Sequence, residues 1–171
     1  MSAKDESEAF SQPGTHVERA SDRELVLRRV FPARPRIVFD AMTKPELLRR
    51  WWAPKALGVV LYECDADVRV GGAYRYVFGR DGQPKMAFSG VYKEVVPSER
   101  LVYTLIFEPM REVGEGLITA TFEEHEGKTR LTQRELYPSK EALDGTLANG
   151  MERGMRETLE QLEALVIELA A

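Results

Sequence analysis

The chain has 171 residues, of which 43% are hydrophobic and 30% charged, with a net charge of −4. That composition is ordinary for a single folded domain, and the acidic balance argues against a dedicated nucleic-acid binder. No apolar run approaches the ~20 residues that cross a bilayer, and the first residues lack a secretory signal, so no membrane span is expected. One cysteine, Cys64, excludes an intramolecular disulfide, and a cytoplasmic location is expected.

The amino-terminal segment, residues 1–20, is rich in Ser, Glu, Asp, Gly and Pro and shows almost no apolar periodicity. It is therefore predicted to be a flexible tail. Residues 21–171 form the predicted domain. Its first element is residues 24–31, where apolar and polar residues alternate enough to predict a β-strand.

Two short helices are predicted after this strand. Residues 36–42 form the first, with Pro35 in its first turn. Thr43 is predicted to cap the second, because Glu46 follows three residues later and the pair has the spacing of a capping box. Pro54 ends that helix.

From about residue 57 to 137 the apolar period changes to two, which predicts six more strands joined by hairpins. Residues 60–70 form the first of these strands. The Gly71–Gly72 pair is predicted to make a two-residue turn, since glycine accepts positive φ at both positions. Gly90 marks a point where a strand can bend.

The last predicted element is one helix of about 25 to 30 residues, because apolar residues recur every three or four positions from Leu143 to Leu169. Another element must cover the apolar face of the sheet, and this helix carries the remaining long apolar stripe. The predicted fold is therefore α+β, with a curved antiparallel sheet of about six to seven strands around the helix. One helix is narrower than such a sheet, so a ligand-sized gap between them is expected.

Several stretches of sequence, in this order, match the pattern of one known family: residues 31–39, 44–52, 65–75, 89–101 and 129–132. Residues 67–75 have the pattern D-x-R-x-G-G-x-Y-R, and residues 90–101 have G-x-Y-x-E-V-x-P-x-x-R-L. Together they resemble the START-like helix-grip superfamily, also called SRPBCC, and within it the family named after the heat-shock-protein-90 ATPase activator homologue. The resemblance covers residues 23–170 and implies the helix-grip fold. One departure is Met155, which follows Gly154 where family members often carry tryptophan.

The resemblance implies three classes of function, since the superfamily includes lipid and hormone binders, cyclases and stress-linked proteins. The leading hypothesis is a domain that binds a small hydrophobic or aromatic ligand. One alternative is a cyclase- or hydrolase-type enzyme that uses a cavity carboxylate or tyrosine. Another is a chaperone-linked interaction domain, and a homodimer is also compatible with the sequence. No cofactor is expected.

The candidate ligand-binding residues are aromatic, polar or flexible side chains predicted to face the gap: Trp52, Tyr62, Tyr74, Tyr76, Phe88, Tyr92, Tyr103, Gln133, Glu135, Met151 and Met155. Glu135 is also the candidate catalytic residue, because a carboxylate in a partly dry cavity has a raised pKa and can exchange protons. In the alternative interpretation the strand twists to the rim, and Glu135 lies in water or pairs with Arg130 or Arg153.

Other reactive groups are less promising. His16 and His125 are far apart in the sequence, so neither a catalytic triad nor a metal site is expected. Cys64 alternates with apolar residues, which predicts a buried, unreactive thiol. Residues 28–55 carry eight basic side chains against two acidic ones. This segment is either an ordinary solvated face or a docking surface for an acidic partner.

Overall fold

A computed structural model describes residues 13–171 and shows one antiparallel sheet with helices against one face. The eight strands are β1 (Thr15–Arg19), β2 (Glu24–Phe31), β3 (Val60–Ala66), β4 (Ala73–Gly79), β5 (Met86–Val96), β6 (Arg100–Phe107), β7 (Gly116–His125) and β8 (Lys128–Leu136). The α-helices are α1 (Pro35–Thr43), α2 (Pro45–Leu48), α3 (Lys140–Ala148) and α4 (Met151–Ala170). Short 3₁₀ turns occupy Lys55–Leu57 and Glu108–Val113. The predicted α+β fold is confirmed.

The strands lie in the order β1-β2-β8-β7-β6-β5-β4-β3, and every neighbouring pair is antiparallel. Strands β3 to β8 form the meander that the sequence predicts. The pairing of β2 with β8 brings the two ends of the domain together, with Glu24 opposite Leu136 and Phe31 opposite Thr129. The first strands of the chain therefore lie beside its last strand in the sheet.

Strand β1 raises the strand count above the predicted six or seven. It lies within the segment predicted to be a tail, so that prediction does not hold for residues 15–19, while residues 1–12 lie outside the described residues. The strand pairs with β2, and its Thr15 accepts a hydrogen bond of 2.9 Å from Arg29 at Oγ1. Pairing with a neighbouring strand, rather than local periodicity, fixes this element.

The sheet bends strongly at Gly90 in β5. A Cβ there would lie 1.9 Å from the Thr104 carbonyl oxygen, so only glycine allows this approach. The Thr104 hydroxyl accepts a hydrogen bond of 2.9 Å from the Val91 amide, and the Tyr74 hydroxyl donates to the Thr104 carbonyl at 2.6 Å. These side-chain bonds replace ladder bonds that the bend removes, as at a β-bulge. The predicted bend at Gly90 is thus present, and the inner face is concave.

The connection between β3 and β4 differs from the predicted two-residue turn. Strand β3 ends at Ala66, and residues 67–72 form a longer loop in which the Gly72 amide donates to the Arg69 carbonyl at 2.8 Å. Gly71 alone of the two glycines has a positive φ, of 85°. The apolar alternation that suggested a longer strand ends in an exposed loop residue, Val70.

The helices differ from prediction at two points. The long C-terminal helix is present as α4, but it spans 20 residues and is shorter than predicted, because Gly150 adopts φ 74° and separates α3 from α4. The capping box is wrong, because Thr43 is the last residue of α1 and its hydroxyl donates to the Phe39 carbonyl at 2.8 Å. Lys44 is extended before Pro45, as residues that precede proline usually are, and this ends α1.

Helix α4 packs its apolar stripe on the concave face and on α1, with Leu159, Leu162 and Val166 fully or nearly fully buried. Gln161 links α4 to the segment after α2, because its Nε2 donates to the carbonyls of Trp51 and Ala53 at 2.8 and 2.7 Å. Helices in the described part of the chain lack the length and apolarity needed to cross a membrane.

Candidate functional site

Aromatic side chains cover much of the concave face of strands β4, β5 and β6. Tyr74 is at their centre, with its ring centroid 5.0 Å from Tyr76, 5.5 Å from Tyr92 and 5.5 Å from Tyr103. The pleat explains the cluster, since alternate residues of each strand face inwards. The cluster continues towards Trp52, whose ring centroid lies 5.2 to 5.9 Å from its neighbours Tyr76, Phe78 and Phe88. A further ring contact joins Phe88 to Phe107 at 5.1 Å.

We call this group the aromatic surface: Trp52, Tyr74, Tyr76, Phe78, Phe88, Tyr92, Tyr103 and Phe107. Its burial is uneven. Tyr74, Tyr76 and Tyr92 are buried, whereas Trp52, Phe88 and Tyr103 are only partly buried. Burial raises the pKa of the Tyr74 and Tyr103 hydroxyls, so both stay neutral at physiological pH and can donate hydrogen bonds. The surface is therefore apolar, with neutral hydroxyls and partial access to solvent.

Glu135 lies on the inner face of β8, between Leu25 of β2 and Ile118 of β7. It is only 9% exposed, and its Oε2 has no hydrogen-bond partner in the described structure. Burial raises the pKa of this carboxyl to about 7, against a smaller lowering by hydrogen bonding with Gln133 and Tyr137. Its charge adds to the effect of burial in raising the pKa of Tyr103, and Ile118 of β7 pairs with both residues, so the carboxyl lies in the same row of the inner face as Tyr103.

The inward orientation of Glu135 distinguishes between the two interpretations of its strand. Arg130 Nη2 bonds Glu123 at 2.6 Å instead of Glu135, and Arg153 is exposed. The carboxyl is thus enclosed rather than paired at the rim. Gln133 shares the inner face and is partly buried.

The structure brings most of the predicted site residues together. Trp52, Tyr74, Tyr76, Phe88, Tyr92 and Tyr103 form one connected cluster. Met151 and Met155 lie in the first two turns of α4, both partly buried, and Met155 packs against the core beneath that helix.

Tyr62 lies apart from this cluster. The register of β3 against β4 shifts between Leu61 and Glu63, as at a β-bulge, so the alternation that predicts an inward Tyr62 fails there. Its hydroxyl instead donates to Asp81 Oδ1 at 2.7 Å, and Lys85 Nζ lies 4.6 Å from the ring centroid.

Three residues that the prediction omitted belong to the same region: Phe78, Phe107 and Tyr137. Phe78 continues the alternation of Tyr74 and Tyr76, so the sequence contained its signal. Tyr137 follows Glu135 by two residues, and its nearness to that carboxylate and its burial raise the pKa of its hydroxyl. The strand alternation does not point to Tyr137, because β8 ends at Leu136.

Two surface depressions, of about 430 and 290 Å³, lie on the outer, convex face of the sheet. Arg75 and Glu108 line both and pair with each other at 2.9 Å. Neither depression is the predicted gap between helix and sheet, which stays a prediction. The described chain also holds no group of three or more metal-ligating side chains.

The remaining sequence candidates have ordinary surroundings. Cys64 is buried, and burial raises the pKa of its thiol to about 11, which disfavours the reactive thiolate. Several cations of the basic segment 28–55 are paired within the molecule, in the ion pairs Arg28–Glu18, Arg29–Glu163, Lys44–Asp40 and Arg50–Glu168. Internal pairing reduces the positive field that the segment presents to a partner.

The sequence was compared with family models, and residues 32–166 match the model described as Activator of Hsp90 ATPase homolog 1-like protein. The chain belongs to this family. The matched residues run from the end of β2 into α4 and so include the aromatic surface and Glu135. Among curated proteins, none matches the chain.

Solved structures of bacterial proteins share the fold over nearly their whole length. A protein from Rhodobacter sphaeroides is 27% identical with a TM-score of 0.83, and the match covers 90% of this chain and 99% of that one. A Mycobacterium smegmatis protein is 26% identical, with a TM-score of 0.79 and coverage of 90% and 96%. A Chromobacterium violaceum protein is 32% identical, with a TM-score of 0.72 and coverage of 85% and 98%. The helix-grip architecture is thus shared with these Activator of Hsp90 ATPase homolog 1-like relatives.

Proposed function

We propose that this domain binds a small hydrophobic or aromatic molecule against the aromatic surface, beneath the first turns of α4. The observation that carries the proposal is the uneven burial of that surface. Trp52 and Tyr103 contact the buried rings of Tyr76 and Tyr74, and Phe88 contacts Trp52, yet all three remain partly accessible to solvent. When a ligand covers apolar surface that water can reach, the complex is stabilised by about 25 cal/mol per Å² of apolar surface buried.

The surroundings favour a ligand over a flat protein partner. The surface lies on the inner face of the curved sheet, and Met155 of α4 packs against the core cluster that includes Tyr74, Tyr76 and Tyr92. A concave apolar surface with a few polar groups is the usual form of a small-molecule site. Flexible methionine side chains also adapt to the shape of different ligands.

A fluorescence titration with the neutral aromatic dye N-phenyl-1-naphthylamine tests the proposal. We expect saturable binding with enhanced, blue-shifted emission from the native protein. Met155→Trp should weaken it about tenfold or more, because the larger ring fills space between α4 and the aromatic surface. The matched control is Met110→Trp, since Met110 is 48% exposed and lies in the 3₁₀ turn Glu108–Val113. No saturable binding, or equal loss in both variants, would refute the proposal.

A second candidate function is acid–base catalysis by Glu135 on an apolar substrate. It is favoured by the pKa of about 7 and by the unpartnered Oε2, since a group that titrates near neutral pH can both give and take a proton. Hydrolysis of apolar 4-nitrophenyl esters provides the test. Turnover should be lost in Glu135→Gln although the variant stays folded, with a melting temperature no lower than that of the native chain. Turnover retained by the variant would remove Glu135 from this role.

A further inference from the structure

We infer that the ligand of the aromatic surface carries a protonated amine, which the Glu135 carboxylate binds as its ion-pair partner. The inference rests on the proposed function and specifies the chemical class of the ligand. Its starting point is an unsatisfied group, because Glu135 Oε2 accepts no hydrogen bond from the described residues although the residue is only 9% exposed. A buried polar atom without a partner destabilises the folded chain, and more so when it is charged. A ligand donor would relieve that cost.

The charges around Glu135 decide which donor fits. Gln133 and Tyr137, from its own strand and its extension, hydrogen-bond Glu135, and its charge reaches Tyr103 of β6 in the same row of the inner face. All three are neutral at physiological pH. The neighbouring strands present Leu25 and Ile118, and the helix side presents Thr146, whose hydrogen bonding lowers the pKa of Tyr137. No charged side chain is among these neighbours of Glu135 in the described structure, and the negative potential of its carboxylate disfavours anionic ligands.

The aromatic surface complements the same ligand. Tyr103 is partly accessible and lies in the same row of the inner face as Glu135, with Ile118 between them, so its ring can contact either the apolar body or the cationic head of an amine. Cations are attracted to the faces of aromatic rings, most strongly when they are desolvated. A fatty acid or other carboxylate would meet only like charge here. The geometry therefore favours an aromatic or aliphatic amine over the corresponding acid.

Three probes of nearly equal shape test the inference: 1-naphthylmethylamine, 1-naphthylmethanol and 1-naphthoic acid. Isothermal titration calorimetry with the full chain should show the amine binding at least tenfold more tightly than the acid and more tightly than the alcohol. Amine affinity should rise about tenfold from pH 6 to pH 8, because Glu135 titrates at about pH 7 and must ionise to pair while the amine stays protonated. The alcohol should lack this rise.

Glu135→Gln should abolish both the preference for the amine and its pH dependence, whereas Glu124→Gln, an exposed carboxyl on β7, should change neither. Equal affinity for the three probes, or an amine preference that survives in Glu135→Gln, would overturn the inference and leave apolar binding intact. If no probe binds and N-phenyl-1-naphthylamine also fails to bind, both the inference and the proposed function are refuted. The pH comparison in the native chain keeps the inference testable should the variant fold poorly.

Discussion

At the residue scale, Glu135 lowers the stability of the fold in a pH-dependent way. Its pKa rises from 4.5 to about 7 on folding, so the unfolded chain gives up the proton first. Between those two pH values the unfolded state binds fewer protons than the native state, and the free energy of unfolding falls as pH rises. Above pH 7 both states are ionised and the loss is constant. A shift of this size corresponds to about 3 kcal/mol.

Glu135→Gln should therefore gain stability relative to the native chain as pH increases, by up to about 3 kcal/mol between pH 4.5 and pH 8. Urea unfolding at pH 5, 6, 7 and 8 measures this difference. Glu124→Gln is the control, since that side chain is exposed on the same sheet. A constant difference between the Glu135 variant and the native chain across the range would contradict the burial of an unpaired carboxyl.

The inward position of Glu135 could be predicted because strand β8 alternates without interruption from Thr129 through Leu131 to Glu135. The same reasoning fails at Tyr62, because one extra residue in a bulge reverses the faces on one side of it. A bulge depends on hydrogen bonds with the partner strand, and the residue composition of the bulged strand gives little indication of it. The absence of a partner for Glu135 Oε2 is likewise a property of the assembled structure, which no local pattern records.

At the element scale, the bend in β5 shapes the concave face and depends on one glycine. Gly90→Ala should destabilise the fold by about 3 kcal/mol or more, because the new Cβ would meet the Thr104 carbonyl at 1.9 Å and Tyr74 Cε1 at 2.7 Å. Chemical denaturation measures the change. Gly145→Ala in α3 is the matched control, since nothing lies within 4 Å and alanine should add about 0.5–1 kcal/mol of stability. Similar effects at both positions would contradict the close approach at the bend.

Strands and helices with strong periodicity were predictable, and elements fixed by distant partners were not. Strand β2 has the predicted bounds, Glu24–Phe31, because its alternation is local. Strand β1 could not be predicted from its own residues, because it depends on pairing with β2. The division between α3 and α4 was missed because the apolar stripe continues across the break, from Leu143 to Leu159, although Gly150 offered a signal.

At the scale of the whole molecule, an ion pair with a buried arginine joins β2 to α4. Arg29 has a side-chain exposure of 7% and bonds Glu163 at 2.9 Å, with a second bond to Thr15 of β1. Arg156 of α4 adds a hydrogen bond to the Thr15 carbonyl. Removing one member of such a pair leaves the other charge buried and poorly compensated.

Glu163→Gln should destabilise the domain by about 1–3 kcal/mol, because the Arg29 guanidinium keeps its burial but loses its counter-charge. Glu168→Gln is the control on the same helix, where the pair with Arg50 is largely exposed, and it should change stability by less than about 1 kcal/mol. Thermal and urea unfolding measure both variants. Equal effects would show that burial of Arg29 adds nothing to the link between sheet and helix.

The pairing of β2 with β8 has a consequence for the order of assembly during folding. Strands β3 to β8 meet their partners through short hairpins, whereas β2 must close a loop of about a hundred residues to reach β8. Loop closure of that length slows folding, so the meander is expected to nucleate and β2 to dock late. Glu135 of β8 pairs with Leu25 of β2, so the docking of β2 covers one side of the Glu135 side chain. The carboxyl group therefore stays hydrated until docking, and the energetic penalty of enclosing it falls on the final step.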